Sequence, residues 1–457
     1  MSAALLIDFG STYTKLRAVD LELRRLLGAG QGPSTVATDV NTGMRAALAD
    51  LERRCGGLPR FRYRLASSSA AGGLRMVTVG LVRELTAEAA RQAALGAGAK
   101  LVGSFAYRLN SADLEAIEHL APDIVLLAGG TDGGNREVVL HNAAELAASP
   151  LACPIVYAGN RDALDEARRR LAGKAAIFAR NVMPEFNQLD IEPARDAIRS
   201  VFIDRIVHAK GIDRAAAGFD RVLMPTPAAV LEGARLLADG LPGTPGLGSL
   251  MLVDPGGATT DVHSVAEGEP APGVIRVGLP EPRVKRTVEG DLGMRHSAVS
   301  TAEATGLDIA AAEALAREPE RLPGTPEEAA YDEALARAAI GLAVRRHCGT
   351  LETVYTPTGP VTVQRGKDLR DVHAVIGTGG ALVASRRPKA ILEAALADSS
   401  EPRVLKPLAP RLMLDTEYLL YACGLLQSVD PQAALELALG HLRPLEEEPA
   451  DERTVNA

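Results

Sequence analysis

The sequence predicts an α/β protein of two lobes, and three observations carry that expectation. Short apolar strands alternate with amphipathic helical stretches through residues 61–182, the pattern of a largely parallel sheet covered by helices. A strand, an aspartate and a turn of small residues occur twice, at Asp8 and at Asp254. Between them lies 240–248, with two prolines and four glycines in nine positions. This linker divides the chain into an N-terminal lobe at 1–245, with an α/β elaboration at about 61–185, and a C-terminal lobe at 246–430, leaving a tail at 431–457.

The first strand is read at 4–9, an apolar run that reaches Asp8, and a Gly/Ser/Thr turn sends it into a hairpin partner at 14–21. Residues 28–42, which include Gly32 and Pro33, read as a loop-rich connection. A helix at 43–54 follows, with Met44, Ala47, Leu48 and Leu51 on one face. In the elaboration the expected strands are 76–79, 100–105, 123–128, 154–157 and 175–179. The helices between and after them are 86–95, 111–120, 135–148 and 161–171. A longer helix is expected at 193–210, and Pro225-Thr226-Pro227 opens another to residue 238, with proline in the first turn where its missing donor costs nothing.

After the linker, a strand at 250–253 runs into Asp254-Pro255-Gly256-Gly257-Ala258-Thr259-Thr260-Asp261. Polar, acidic helices occupy 301–317 and 326–346, a strand and glycine turn 372–380, and short helices 381–384 and 416–426. The residues from 446 form an acidic, frayed tail.

Composition narrows the function classes. Of 457 residues, 47% are hydrophobic and 24% charged, as in an ordinary globular protein. Net charge is −8 with no block of like charge, so a nucleic-acid partner is not expected. Cys55, Cys153, Cys348 and Cys423 show no C-x-x-C spacing, which argues against a zinc or iron–sulfur site and for reduced thiols in the cytoplasm. No basic signal region opens the chain and no charge-free apolar run of about 18 residues occurs, so no membrane association is expected.

Chemistry concentrates in three turns. Asp8-Phe9-Gly10-Ser11-Thr12-Tyr13-Thr14-Lys15 sets a carboxylate at a strand tip and a lysine on the returning strand. Backbone N–H groups in such a turn can hold phosphate oxygens, and the carboxylate can hold hydrated Mg²⁺. The turn at Asp254 repeats the kit with an acid, two glycines and two threonines. The third, Ile376-Gly377-Thr378-Gly379-Gly380-Ala381, joins a strand to a helix and admits close approach of a purine or ribose. No Walker A or spaced G-x-G-x-x-G motif occurs.

In order, these three strings resemble the first phosphate, second phosphate and adenosine motifs of the actin, Hsp70 and sugar-kinase superfamily. Residues 225–230 resemble its first connecting helix, and 418–426, with small Ala422 and Gly424, its second. Longer strings, among them 8–15, 127–135, 257–264 and 288–295, resemble the MutL proteins of glutamate mutase clusters, which are unrelated to the DNA-repair proteins of that name. The resemblance runs over most of residues 1–430.

It implies a two-lobed actin-like ATPase fold, ribonuclease H-like in each lobe, with a nucleotide cleft between the lobes. The implied activity is that of an ATP- and Mg²⁺-dependent accessory factor, acting on the subunits of an adenosylcobalamin-dependent aminomutase to remove damaged cobalamin. By the same resemblance Asp8 and Asp254 flank the metal, Gly10, Ser11 and Thr12 bind phosphates, and Lys15 neutralises phosphoryl charge. Asp254 is expected to orient or deprotonate water, with Asp261 as a second acid near the metal or a strand-end cap. Gly256, Gly257 and Thr259 would cradle the γ-phosphate, and Gly377, Gly379 and Gly380 the adenosine. The superfamily also contains small-molecule kinases, activators of radical enzymes and filament-forming scaffolds, and these remain the rival readings. The turn at 129–135 reads as a phosphate or corrinoid contact or as a plain turn. Glu289, Asp291 and Arg295 read as a solvated loop or as contacts to nucleotide or partner, and the eight histidines as structural.

Overall fold

In the computed structural model, which describes residues 2–10, 13–35, 40–68, 74–204 and 220–445, the first apolar run forms β1 (Ala3–Phe9), buried along its whole length. It returns antiparallel through β2 (Tyr13–Asp20) to β3 (Arg25–Pro33). The connection expected at 28–42 is therefore strand over 28–33 and helix from 40, with 36–39 outside the described residues. Its glycines face helix α1 (Val40–Cys55): a Cβ on Gly28 would stand 2.4 Å from Cys55 Sγ, and one on Gly30 2.6 Å from the Ala47 carbonyl. Without side chains there, the helix rests directly on the strand backbone.

Next, β4 (Phe61–Ser68) pairs parallel with β1. Sequence placed this segment in the elaboration, but its small buried end, Ala66-Ser67-Ser68, lies within the first sheet. The inserted unit thus begins near residue 74. It runs through β5 (Arg75–Gly80), a π-helical turn at Arg83–Ala87, α2 (Glu88–Gly96), β6 (Lys100–Ala106), α3 (Ser111–His119), β7 (Ile124–Leu127), α4 (Glu137–Ala148), β8 (Ile155–Tyr157), α5 (Leu164–Arg170) and β9 (Ala176–Phe178). Its strands form a wholly parallel sheet in the order β6-β5-β7-β8-β9. Helix α6 (Glu192–Phe202) leads out of it, and the rest of the helix expected to reach 210 lies beyond residue 204, outside the described residues. The chain then rejoins the first sheet as β10 (Arg221–Pro225), parallel to β4, and continues into α7 (Thr226–Asp239).

The expected linker is a fixed turn: β11 (Gly240–Leu241) and β12 (Thr244–Pro245) pair, and the Leu247 N–H donates to the Leu237 carbonyl at 2.7 Å. Beyond it come β13 (Leu250–Pro255), β14 (Thr260–Val265), β15 (Ile275–Val277), β16 (Val284–Glu289), α8 (Ala298–Thr305), α9 (Ile309–Arg317) and α10 (Pro326–His347). The single helix expected at 301–317 is two, because Gly306 turns left-handed after α8 and Asp308 caps α9. A hairpin of β17 (Thr350–Thr356) and β18 (Gly359–Arg365) joins β15 in a small outer sheet. The chain ends with β19 (Ala374–Gly377), α11 (Gly380–Val383), α12 (Pro388–Leu392), β20 (Arg411–Asp415), α13 (Leu420–Leu426), α14 (Pro431–His441) and β21 (Leu442–Pro444).

The two main sheets share one topology. The first is ordered β10-β4-β1-β2-β3 and the second β16-β14-β13-β19-β20-β21. Each is an antiparallel meander of three strands whose first member also pairs with a parallel strand, which in turn pairs with another. This is the ribonuclease H-like arrangement, duplicated as in the actin-like ATPase fold. Residues 431–445 are not a tail, because β21 pairs with β20 and α14 buries Leu435 and Leu437 completely. Of the expected tail, residues 446–457 lie outside the described residues.

Each duplicated sheet delivers its last parallel strand into a helix, β10 into α7 and β20 into α13, and those helices pack together. Small residues permit this. A Cβ on Gly233 would meet the Leu420 carbonyl at 2.3 Å, and one on Gly424 the Ala229 carbonyl at 1.8 Å. Gly424→Ala should therefore force the helices apart and destabilise the protein by about 1–3 kcal/mol, the usual cost of overpacking. Gly440→Ala, where a Cβ meets nothing within 4 Å, is the control and should leave stability unchanged or slightly raised. Urea unfolding midpoints measure both, and equal midpoints for the two variants would contradict the packing argument.

Candidate functional site

The two meanders place two equivalent hairpins at the site. In the first, Asp8 lies opposite Lys15, and the Gly10 N–H closes the turn onto the Tyr13 carbonyl at 3.0 Å. In the second, Asp254 lies opposite Asp261, and the Gly256 N–H closes onto Thr259 O at 2.8 Å. Aspartate, glycine two residues later and cross-strand partner seven residues later thus coincide in the two turns. Ser11 and Thr12 lie outside the described residues.

The third turn completes the group. Gly377 pairs with Val253, and the Thr378 N–H donates to the Val253 carbonyl at 3.0 Å. Gly379 follows at φ +93°, where a Cβ would stand 2.4 Å from Asp254 Oδ1, so glycine is required there both by conformation and by space. Gly380 opens α11 and faces open space, whereas Gly377 packs against Leu382 and Leu392. Gly257 is exposed, and its carbonyl accepts from the Arg295 N–H at 2.8 Å.

Electrostatics tie the two aspartates together. Asp8 is buried and its pKa is raised by desolvation, against the opposing pull of Lys15, a hydrogen bond from Thr226 and the charge of Arg17. The Thr226 hydroxyl donates to Asp8 Oδ1 at 2.6 Å from the first turn of α7. Desolvation pushes Asp254 up to about 7, aided by Asp261, Asp415 and Asp8 and opposed by Lys15. Lys15 Nζ itself sits 3.7 Å from the centre of the Tyr418 ring, at φ +52° just before α13. Two residues along the same face of β2, Arg17 Nε donates to the Glu417 carbonyl at 2.8 Å. The first lobe thereby grips the start of the second lobe's connecting helix.

The donor set fits a hydrated Mg²⁺. Among the described residues no group of three or more His, Cys, Asp or Glu side chains has metal-holding geometry. Mg²⁺ bound with phosphates needs only one or two carboxylates, keeping water in its other positions. Asp8 and Asp254 offer those hard oxygens, and the raised pKa of Asp254 marks a recess where added positive charge is favourable.

Asp261 is differently placed. Its Oδ1 accepts from Arg286 Nε at 2.8 Å and Nη2 at 2.6 Å, and its Oδ2 accepts from the Thr259 hydroxyl at 3.2 Å. Glu289 and Asp291 pair with Arg346, while Arg295 forms a two-bonded ion pair with Asp332 at 2.9 and 2.7 Å. Glu289 belongs to β16 rather than to a loop, because the edge of the second sheet continues that far. The turn at 129–135 follows β7, with Asn160 donating to the Gly134 and Asn135 carbonyls and Asn181 to that of Gly130.

Thr226, Arg17, Asp415, Tyr418 and Arg286 escaped the sequence reading. Pro225-Thr226-Pro227 marked a helix start, yet nothing local pairs Thr226 with a carboxylate 218 positions away. A cavity of about 840 Å³ lies between α10 and residues 393–406 and contains none of the expected site residues.

His263 and His347 lie buried below the second hairpin, and His347 bridges Thr287 and Ser264 at 2.8 Å on either side. Burial lowers both pKa values, aided by Arg286 at His263, which falls to about 3, and by Lys285 at His347. Both are neutral in the fold, so below the ordinary 6.5 the unfolded chain takes up protons that the folded chain refuses. Stability should be complete above pH 6.5 and fall as pH drops toward 3, each histidine contributing up to about 1.4 kcal/mol per pH unit. Urea midpoints at pH 7 and pH 5 test this, and no loss at pH 5 would contradict it.

The family model described as MutL protein matches residues 4–442. A curated relative, "Protein MutL" of Clostridium tetanomorphum, is 47% identical over 460 residues, spanning 97% of this chain and 99% of its own. Among solved structures, a nucleotide-free acetone carboxylase aligns with 92% of this chain and 69% of its own at 15% identity and TM-score 0.41. A glycerol dehydratase reactivase aligns with 93% of this chain and 99% of its own at 12% identity and TM-score 0.35.

Proposed function

Because the chain belongs to the MutL protein family, we propose that it is an ATPase serving an adenosylcobalamin-dependent, glutamate-mutase-type aminomutase in the cytoplasm, where ATP hydrolysis drives exchange of damaged cobalamin. The observation that carries the nucleotide half of this reading is the meeting of Asp8, Lys15 and Asp254 at the tips of two equivalent hairpins. Family membership carries the partner half.

In this reading Asp8 and Asp254 hold hydrated Mg²⁺, which supplies neutralising charge to the phosphates when bound. The backbone of Gly10, with Ser11 and Thr12, binds phosphate oxygens, and Lys15 balances charge that develops on the β- and γ-phosphoryl groups. Gly256, Gly257 and Thr259 cradle the γ-phosphate. The turn at Gly377, Gly379 and Gly380 admits the adenosine. Asp254 accepts a proton from the attacking water or orients it, and its raised pKa suits a base working near neutrality. Asp261, with both oxygens engaged, acts on the second turn rather than on water.

Two outcomes test the assignment of Asp254. Asp254→Asn should lower phosphate release from Mg-ATP by about 10²–10⁴-fold, the usual contribution of a general base, while calorimetric ATP binding persists. Unchanged turnover would remove Asp254 from the chemistry. In the unsubstituted protein, kcat/KM for phosphate release should rise with pH and level off above about 7, because the free protein must lose the Asp254 proton before it can accept another. A profile flat from pH 5.5 to 8 would contradict the same role.

A further inference from the structure

The second hairpin connects to the inserted sheet by an unbroken chain of polar contacts. The Thr259 hydroxyl donates to Asp261 Oδ2, and Asp261 Oδ1 accepts from Arg286. On its other side Arg286 donates from Nη1 to the Leu95 and Ala99 carbonyls, at 3.2 and 3.4 Å, where α2 ends. Arg286 is only 6% exposed, and a cation at a helix C-terminus complements the negative end of the helix dipole. An arginine from the insert answers it. Arg195 of α6, also buried, donates to the Val284 carbonyl at the start of β16, and its guanidinium fills the space that a Cβ on Gly96 would need. The edge strand of the second lobe is thus latched to α2 and α6 by arginines reaching in both directions.

Alongside these contacts lies a cavity of about 280 Å³, with Thr259 on one wall and Arg91, Leu95 and Lys100 of the insert on another. The hairpin and the insert therefore meet through hydrogen bonds beside open space, where either side has room to shift.

We propose that Arg286 is a positioning residue that couples the γ-phosphate turn to the inserted sheet through Asp261 and Thr259. This rests on the reading of the second hairpin as a γ-phosphate site. A γ-phosphate that engages the Thr259 hydroxyl competes with Asp261 for its only proton. Asp261 then loses a hydrogen bond, its hold on Arg286 changes, and the carbonyls that end α2 feel the difference. The end of α2 thereby registers whether the second hairpin carries a γ-phosphate.

Hydrogen exchange read peptide by peptide tests this on the full-length protein, with ADP compared against the β,γ-imido analogue of ATP and calorimetry run on the same samples. In the unsubstituted protein, amides at residues 88–99 should differ between the two nucleotides by about tenfold in exchange rate, an ordinary size for coupling between sites. Arg286→Met should abolish that difference while both nucleotides still bind. Arg286→Lys keeps the charge without the fork and should restore only part of it. Asp261→Asn removes the charge that holds Arg286 and reads the same link if Arg286→Met does not fold. Binding of both nucleotides with no difference at 88–99, or a difference that survives in Arg286→Met or Asp261→Asn, overturns the coupling alone. Failure of either nucleotide to bind overturns the reading of the hairpin, and the coupling with it.

Discussion

One lysine stands between two carboxylates that the chain brings from opposite halves of the sequence, and the rest of the architecture serves that meeting. Lys15 acts on both Asp8 and Asp254. Cross-strand register puts it opposite the first, and contact between the lobes brings it within the field of the second. A recess that crowds Asp8, Asp254 and Asp415 is unfavourable unless cations offset it, and here the offset comes from Lys15 and Arg17 on one face of β2. That same face holds residues 417–418, so charge balance and lobe contact depend on one strand.

The duplicated topology explains how such a meeting arises. In each half, a meander supplies an aspartate at a strand tip and a later parallel strand opens into a connecting helix. Glycines at 233 and 424 let these helices cross at backbone distance. A hydrogen bond from Thr226 at the start of α7 reaches Asp8, and Asp415 before α13 accepts the Leu419 and Leu420 N–H groups. Each connecting helix therefore begins on an acid of the site or beside one, and a change in the charge of the recess acts on helix starts rather than on loops.

The sequence made legible what is local. Both hairpins, the glycine turn at 377–380 and the two connecting helices follow from residues within a few positions of one another. The strands at 25–33 and 61–68 were missed because their stabilisation comes from elsewhere: glycines that look like loop become strand only under α1, and Arg-rich β4 finds its place between β1 and β10. Residues 431–445 resembled a tail until β20, itself a short run behind Pro410, offered β21 an edge. Long-range side-chain pairs left no local trace. Asp261 was legible as an acid beside the second turn, but its pairing with Arg286, which fixes what the carboxylate can do, depends on register between β14 and β16.

In the proposed function, nucleotide chemistry at the two hairpins is spent on a cobalamin enzyme. The most direct measurement is phosphate release from Mg-ATP by the purified chain, with and without a glutamate-mutase-type enzyme inactivated on its cobalamin, while corrinoid release is followed spectroscopically in the same sample. Hydrolysis should rise when the inactivated enzyme is added, with corrinoid leaving as ATP is consumed. Hydrolysis indifferent to that enzyme, with no corrinoid released, would contradict that function.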